Sequence, residues 1–166
     1  MASIRELADA IIRQEGAFDP RSVNMQIVTR YGMWNVGHLS WSGQRGAVPV
    51  TVGGRQWAAW PTYEESYEGL LRQIRLDASR GMTLAQFITK YAPPSENPTG
   101  VYIQNVSTWT GIDPNAKLAD VLRDDAPPLE GGPDVYFDVG AEAGISSDAI
   151  VLASIVGLTV LAVATA

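Results

Sequence analysis

Pro127, Pro128, Gly131, Gly132 and Pro133 fall within one short stretch and divide this 166-residue chain into unequal parts. The charge changes at the same place. Residues 1–119 hold eleven Lys/Arg against ten Asp/Glu, a balance of +1, whereas residues 120–166 hold Arg123 alone against eight acids, a balance of −7. A break in charge beside a Pro/Gly cluster marks a domain boundary followed by a linker. The boundary falls near Arg123, so a hydrophobic core has to be built by the residues before it, a normal length for one domain. The expected organisation is a folded domain over 1–124, an acidic Pro/Gly-rich linker over 125–148 and an apolar helix over 149–166.

That last segment runs eighteen residues from Ala149 to Ala166 without a charge. As a helix it would reach roughly 27 Å at about 1.5 Å per residue, just enough for a hydrocarbon core of about 30 Å. Its expected role is a membrane anchor. The alternative is a helix buried in an oligomer or larger particle, for which Ala153 and Gly157 have small-xxx-small spacing. Met1 to Arg5 leads into an amphipathic pattern rather than an apolar signal core, so no usual secretory signal is expected.

Composition removes several classes of chemistry. With no cysteine there is no disulfide framework, thiolate metal site or thiol nucleophile. A single histidine leaves little for a Ser-His-Asp triad or a multi-histidine metal site, and neither a metal nor a cofactor is expected. The net charge of −6 argues against a nucleic-acid partner.

The first part of the chain reads as α+β and mainly helical. Ser3-x-x-Glu6 is a capping box, and Ile4, Leu7, Ala8, Ile11 and Ile12 share one face of a helix from Ile4 to Glu15, stopped by Gly16. Asp19 to Trp60, rich in glycine and tryptophan, reads as loop and short strand. Within it Val48–Val52, Gly53-Gly54 and Arg55–Trp60 form a small β-hairpin. Thr62-x-x-Glu65 opens a helix carrying Tyr63, Tyr67, Leu70, Leu71 and Ile74 inward. Its Glu64, Glu65 and Glu68 pair with Arg72 and Arg75 on a solvated face. Thr83-x-x-Gln86 opens a shorter helix ended by Pro93-Pro94. Another spans Pro98–Thr110 with Val101, Tyr102, Val106 and Trp109 as its apolar set, and a last turn covers Ala116–Leu122.

Acid–base chemistry therefore falls to carboxylates. Glu15 stands apart because it ends a helix beside a glycine and opens onto a loop rich in tryptophan and asparagine. A carboxyl partly buried there is placed to give a proton to a glycosidic oxygen. His38 follows Gly37 and reads as a loop histidine.

Ile11-Ile-Arg-Gln-Glu15-Gly16-Ala-Phe18, then Trp34-Asn35-Val36-Gly37-His38-Leu39, then Trp57-Ala-Ala-Trp60-Pro-Thr-Tyr63 resemble lysozyme-like domains of bacteriophage structural proteins and some bacterial muralytic proteins. There the pattern is Glu-Gly, then Asn-Asn-Pro-Gly-Asn-Leu, then an aromatic pair leading into a helix. Asp77-Ala-Ser-Arg-Gly81-Met-Thr-Leu84 and Tyr91-Ala-Pro-Pro-Ser-Glu96-Asn97-Pro-Thr99 extend the likeness, as do Tyr102 and Trp109-Thr-Gly111, over about residues 4–122. Val36 and His38 depart from the pattern, which has Pro and Asn there.

The resemblance implies a fold like goose-type lysozymes and lytic transglycosylases, with Glu15 as catalytic general acid/base. The substrate would be the β-1,4-linked glycan of peptidoglycan, cut either with water or by internal attack that leaves a 1,6-anhydro sugar. Asn35, Gly37, His38, Trp34, Trp60, Asn97 and Tyr102 are the candidate substrate-binding residues, with Trp57 and Trp60 divided equally between groove and core. Asn97 has a second reading as the cap of the next helix. Were water the nucleophile with inversion, a second acid would be needed about 6.5–9.5 Å away, with Asp19 and Glu96 as candidates. The expected protein is a virion-associated muralytic enzyme that acts on the host cell wall during entry, with glycan strands, other virion proteins and possibly a membrane as partners. The alternative is a catalytically inactive structural virion protein.

Overall fold

The computed structural model describes residues 1–95 and 97–125. Glu96 and residues 126–166 lie outside the described residues, and with them all but the first residue of the expected 125–148 linker, the apolar segment 149–166 and the anchor and oligomer expectations. The described chain is α+β. Its elements in order are β1 (Ala2–Ser3), α1 (Ile4–Gln14), α2 (Val23–Tyr31), β2 (Val48–Val52), β3 (Arg55–Ala59), α3 (Tyr63–Ser79), α4 (Leu84–Tyr91), α5 (Thr99–Thr110), α6 (Leu118–Val121) and β4 (Leu122–Arg123). Among the described residues, no helix is long and apolar enough to cross a membrane.

Helix α1 forms where the pattern places it. Ser3 Oγ accepts the Glu6 N–H at 3.0 Å, and the Ser3 N–H donates to Glu6 Oε2 at 2.7 Å, so two otherwise unpaired donors are satisfied reciprocally. Its apolar face, Ile4, Leu7, Ala8 and Ile11, is buried against α3 and α5 in the main core. The helix ends at Gln14, with Glu15 as its C-cap and Gly16 at φ +56° turning the chain away. Thr62 and Thr83 complete capping boxes with Glu65 and Gln86, and these open α3 and α4. At the far end, β4 pairs in parallel with β1, Ala2 opposite Leu122 and Ser3 opposite Arg123, and this returns the chain to its start. Arg75 adds hydrogen bonds to Asp124 at 2.7 and 3.1 Å.

Three expectations are corrected. The Asp19–Trp60 stretch is not only loop and strand, because α2 lies within it. Ser22 Oγ caps α2 by accepting the Met25 N–H at 3.1 Å, and Gly32 ends it. In α2 only Asn24 and Ile27 are buried, so the helix shows little apolar periodicity to read. Glu68 does not lie on a solvated face: it is 5% exposed, 2.9 Å from Arg75 and 3.6 Å from Arg72, the burial balanced by two guanidinium groups. In α5, Tyr102 and Val106 face the core as expected. Val101 and Trp109 do not: Val101 is exposed, and Trp109 carries the Arg13 guanidinium 4.1 Å above its ring.

The hairpin β2–β3 runs in register from Val48 opposite Ala59 to Val52 opposite Arg55. Val50, Val52 and Ala59 cover Ile27 of α2 in a second small core. Two bridges, Trp34 to Trp60 and Ser40 to Trp57, stitch the 34–40 loop to β3 and its end. Helices on one side, and the hairpin with its loop on the other, leave an open groove between them.

Gly69 on α3 makes room for Trp60, since a β-carbon there would lie 2.5 Å from the indole Cζ2. Gly69→Ala therefore overpacks a fully buried ring and should cost about 1–3 kcal/mol. Urea unfolding of the two proteins checks this, and equal midpoints would contradict the packing described.

Candidate active site at the end of helix α1

Glu15 occupies the C-terminal end of α1, where unpaired carbonyls disfavour a negative charge. Two hydrogen-bonding partners meet it there. Tyr102, from the buried face of α5, puts its hydroxyl 2.9 Å from Oε1, and His38 puts Nδ1 2.8 Å from Oε2. The carboxyl is 20% exposed and opens onto the groove. Burial pushes the Tyr102 hydroxyl far above its ordinary range, with Tyr91 and Glu15 adding to the effect, so Tyr102 acts as an O–H donor. The Tyr91 hydroxyl is also pushed well up, by burial and then by Glu15, and it has no hydrogen-bond partner among the described residues.

The loop that carries His38 is held by buried polar groups. Asn35 is fully buried: its Oδ1 accepts the Leu39 N–H at 2.8 Å, and its Nδ2 donates to the Leu39 carbonyl at 2.9 Å. The Val36 N–H donates to Ser66 Oγ on α3 at 2.9 Å. Gly37 lets the loop approach α3 closely, because a β-carbon there would lie 3.1 Å from Leu70 Cδ1 and 3.3 Å from the Tyr91 hydroxyl. His38 follows at φ +48°, the one non-glycine residue with positive φ among the described residues.

Asn24, on α2, completes the arrangement and was not among the residues singled out from sequence. It is fully buried. Its Oδ1 accepts the Asn35 N–H at 2.8 Å, its Nδ2 donates to the Ala17 carbonyl at 3.0 Å, and its backbone N–H donates to His38 Nε2 at 3.3 Å. The missed helix thus supplies the missed residue. The available signal was Ser22-x-x-Met25 followed by Gly32, a capped start and a glycine stop without a strong apolar face.

The groove has a volume of about 390 Å³, within the usual range for sites that take small organic molecules. One wall is Ser40, Ser42, Gln44, Arg55 and Trp57; the other is Gln73, Asp77, Lys90, Tyr91 and Asn97. Of the expected binding residues, His38 and Asn97 line it. Asn97 does not cap α5, whose N-cap is Pro98 with no side-chain hydrogen bond. Trp57 stands at the wall with Arg55 4.7 Å over its ring.

The others are placed differently. Trp60 is 1% exposed, its ring filling the space over Gly69 and its Nε1 donating to the Arg45 carbonyl, so it cannot stack on a sugar. Trp34 packs edge-on to Tyr63, with ring centres 5.8 Å apart, against the main core. The Asn35 amide is spent within its own loop, and Gly37 serves packing. Tyr102 reaches the site only through Glu15.

Among the acids, Asp19 is an exposed loop residue held by the Arg21 N–H at 2.8 Å, which keeps its carboxyl below the ordinary range. It does not line the groove. Glu96 lies outside the described residues. Asp77 does line the groove, but it is 1% exposed, with Lys90 Nζ 2.6 Å from Oδ1 and Gln73 Nε2 2.6 Å from Oδ2. No group of three or more metal-ligating side chains occurs among the described residues.

No protein-family model, curated protein or solved structure matches this chain.

Asn24→Ala should strand the buried Asn35 N–H and weaken the join between α2 and the 34–39 loop. The cost is about 1–3 kcal/mol for each buried group left unpaired. Denaturant unfolding measures it, and a change below experimental error would contradict the central place given to Asn24.

Proposed function

We propose that this protein cleaves the β-1,4 glycosidic bond of peptidoglycan, with Glu15 as general acid and then general base. The observation that carries this reading is a carboxyl open to a groove and held at both oxygens, one by a phenol and one by an imidazole. A catalytic acid has to be aimed before its substrate arrives, and two fixed hydrogen bonds do this for a side chain that otherwise rotates freely.

The protonated carboxyl gives its proton to the glycosidic oxygen as the C1–O bond breaks, leaving an oxocarbenium-like sugar. The resulting carboxylate then accepts the proton of whichever hydroxyl attacks C1. Of the other acids described near the site, Asp77 is tied up by Lys90 and Gln73, and Asp19 lies off the groove. These residues favour the route that needs Glu15 alone, in which the muramyl C6 hydroxyl attacks C1 and a 1,6-anhydro sugar is released. Trp57 offers a flat apolar wall to a pyranose face, while Ser40, Ser42, Gln44 and Asn97 offer hydrogen bonds to hydroxyl and acetamido groups. The sequence resemblance supports the same substrate class. It also suggests the setting: a virion-associated enzyme opening the host wall during genome entry, held by its tail to a membrane or to other virion proteins.

A zymogram on purified peptidoglycan tests the reading. The wild type should clear the gel, and Glu15→Gln should reduce clearing roughly 100-fold or more. A folded wild type that clears nothing would leave a structural virion protein as the better account. Mass spectrometry of the released muropeptides should show 1,6-anhydro ends, and hydrated reducing ends would contradict the single-carboxylate route.

A further inference from the structure

Both ring nitrogens of His38 are engaged. Nε2 receives the backbone N–H of Asn24, and Nδ1 lies 2.8 Å from Glu15 Oε2. Asn24 is the second residue of α2, so the N–H it offers is one of the donors that a helix start leaves without an intrahelical partner. A donor can only be met by a lone pair, and the positive end of the helix further disfavours a proton at that nitrogen. The proton of the neutral ring must then sit on Nδ1 and point at the carboxylate. The side chain is 10% exposed, and the backbone that presents it is left-handed, a conformation more often kept where a side chain has to be aimed.

From this geometry we propose that His38 is a positioning residue for Glu15, locked by the start of α2 as the Nδ1–H tautomer, and not a ligand for the sugar. Lining the groove is a consequence of reaching Glu15, because neither nitrogen is left to contact substrate. The relay runs from the Asn35 N–H to Asn24 Oδ1, and from the Asn24 N–H through the imidazole to Glu15. It ties the orientation of the acid to the seating of α2. The kinetic part of this inference rests on the muralytic reading; the tautomer does not.

The chain has one histidine, so its ring signals in ¹⁵N-labelled full-length protein are unambiguous. Long-range proton–nitrogen correlation at neutral pH should show a protonated Nδ1 and a bare Nε2. A protonated Nε2, or an averaged pair of nitrogens, overturns the proposal whether or not the protein cleaves peptidoglycan. In turnover of soluble glycan-strand fragments, His38→Ala should lower kcat about 100-fold with KM unchanged, the effect of a misaimed catalytic group. His38→Asn should restore most of that loss, since an amide can donate to Glu15 and asparagine tolerates the left-handed backbone. A raised KM with kcat intact would make His38 a substrate contact and overturn the proposal. A wild type without turnover would end the muralytic reading, and the ring spectrum would still decide the tautomer.

Discussion

A carboxylate at the carbonyl end of a helix, largely withdrawn from water, is unfavourable on two counts: the helix dipole opposes its charge and burial removes its solvation. Glu15 is kept there by Tyr102 on one oxygen and His38 on the other. Much of the described architecture can be traced to supplying those donors. Tyr102 requires α5 to lie against α1. His38 requires the 34–39 loop to be drawn in by Asn35, Ser66 and the close approach at Gly37, and requires α2 to be seated so that Asn24 meets the ring. Through Glu15 and its two partners, α1, α2, α5 and the 34–39 loop meet at one point.

Both walls of the groove carry polar side chains beside the apolar face of Trp57. Buried Asp77 fixes Lys90 by an ion pair, and Arg55 is steadied by Ser40 and by the face of Trp57. Groups held in place in this way lower the ordering cost for whatever ligand the groove takes. The hairpin itself is a two-stranded ribbon, marginal alone, and its stability comes from covering Ile27 and from the Trp34 and Trp57 bridges.

The helices of the main core were legible because their chemistry is local. Ser3-x-x-Glu6, Thr62-x-x-Glu65 and Thr83-x-x-Gln86 each signal a start, and apolar spacing gives the buried face. The position of Glu15 at a helix stop was legible for the same reason. What escaped depends on distant partners. Helix α2 buries two side chains, and one of them, Asn24, is polar, so its role exists only once Asn35 and His38 are folded against it. In the sequence Trp60 stands open between groove and core, and Asn35 is a sugar contact only by resemblance; nothing local reveals that Gly69 opens a slot for the indole or that Leu39 takes up the amide. Glu68 keeps the partners its spacing suggests, Arg72 and Arg75; what the spacing does not reveal is that the group is withdrawn from solvent, Arg75 being held in turn by Asp124.

The most direct measurement is a crystal structure of the full chain carrying Glu15→Gln with a muropeptide tetrasaccharide bound. The account predicts a glycan strand lying between the hairpin wall and the α3–α4 wall, with one glycosidic oxygen within about 2.6–3.2 Å of the substituted side chain. A strand bound elsewhere on the surface, or a groove that stays empty at saturating ligand, would contradict it.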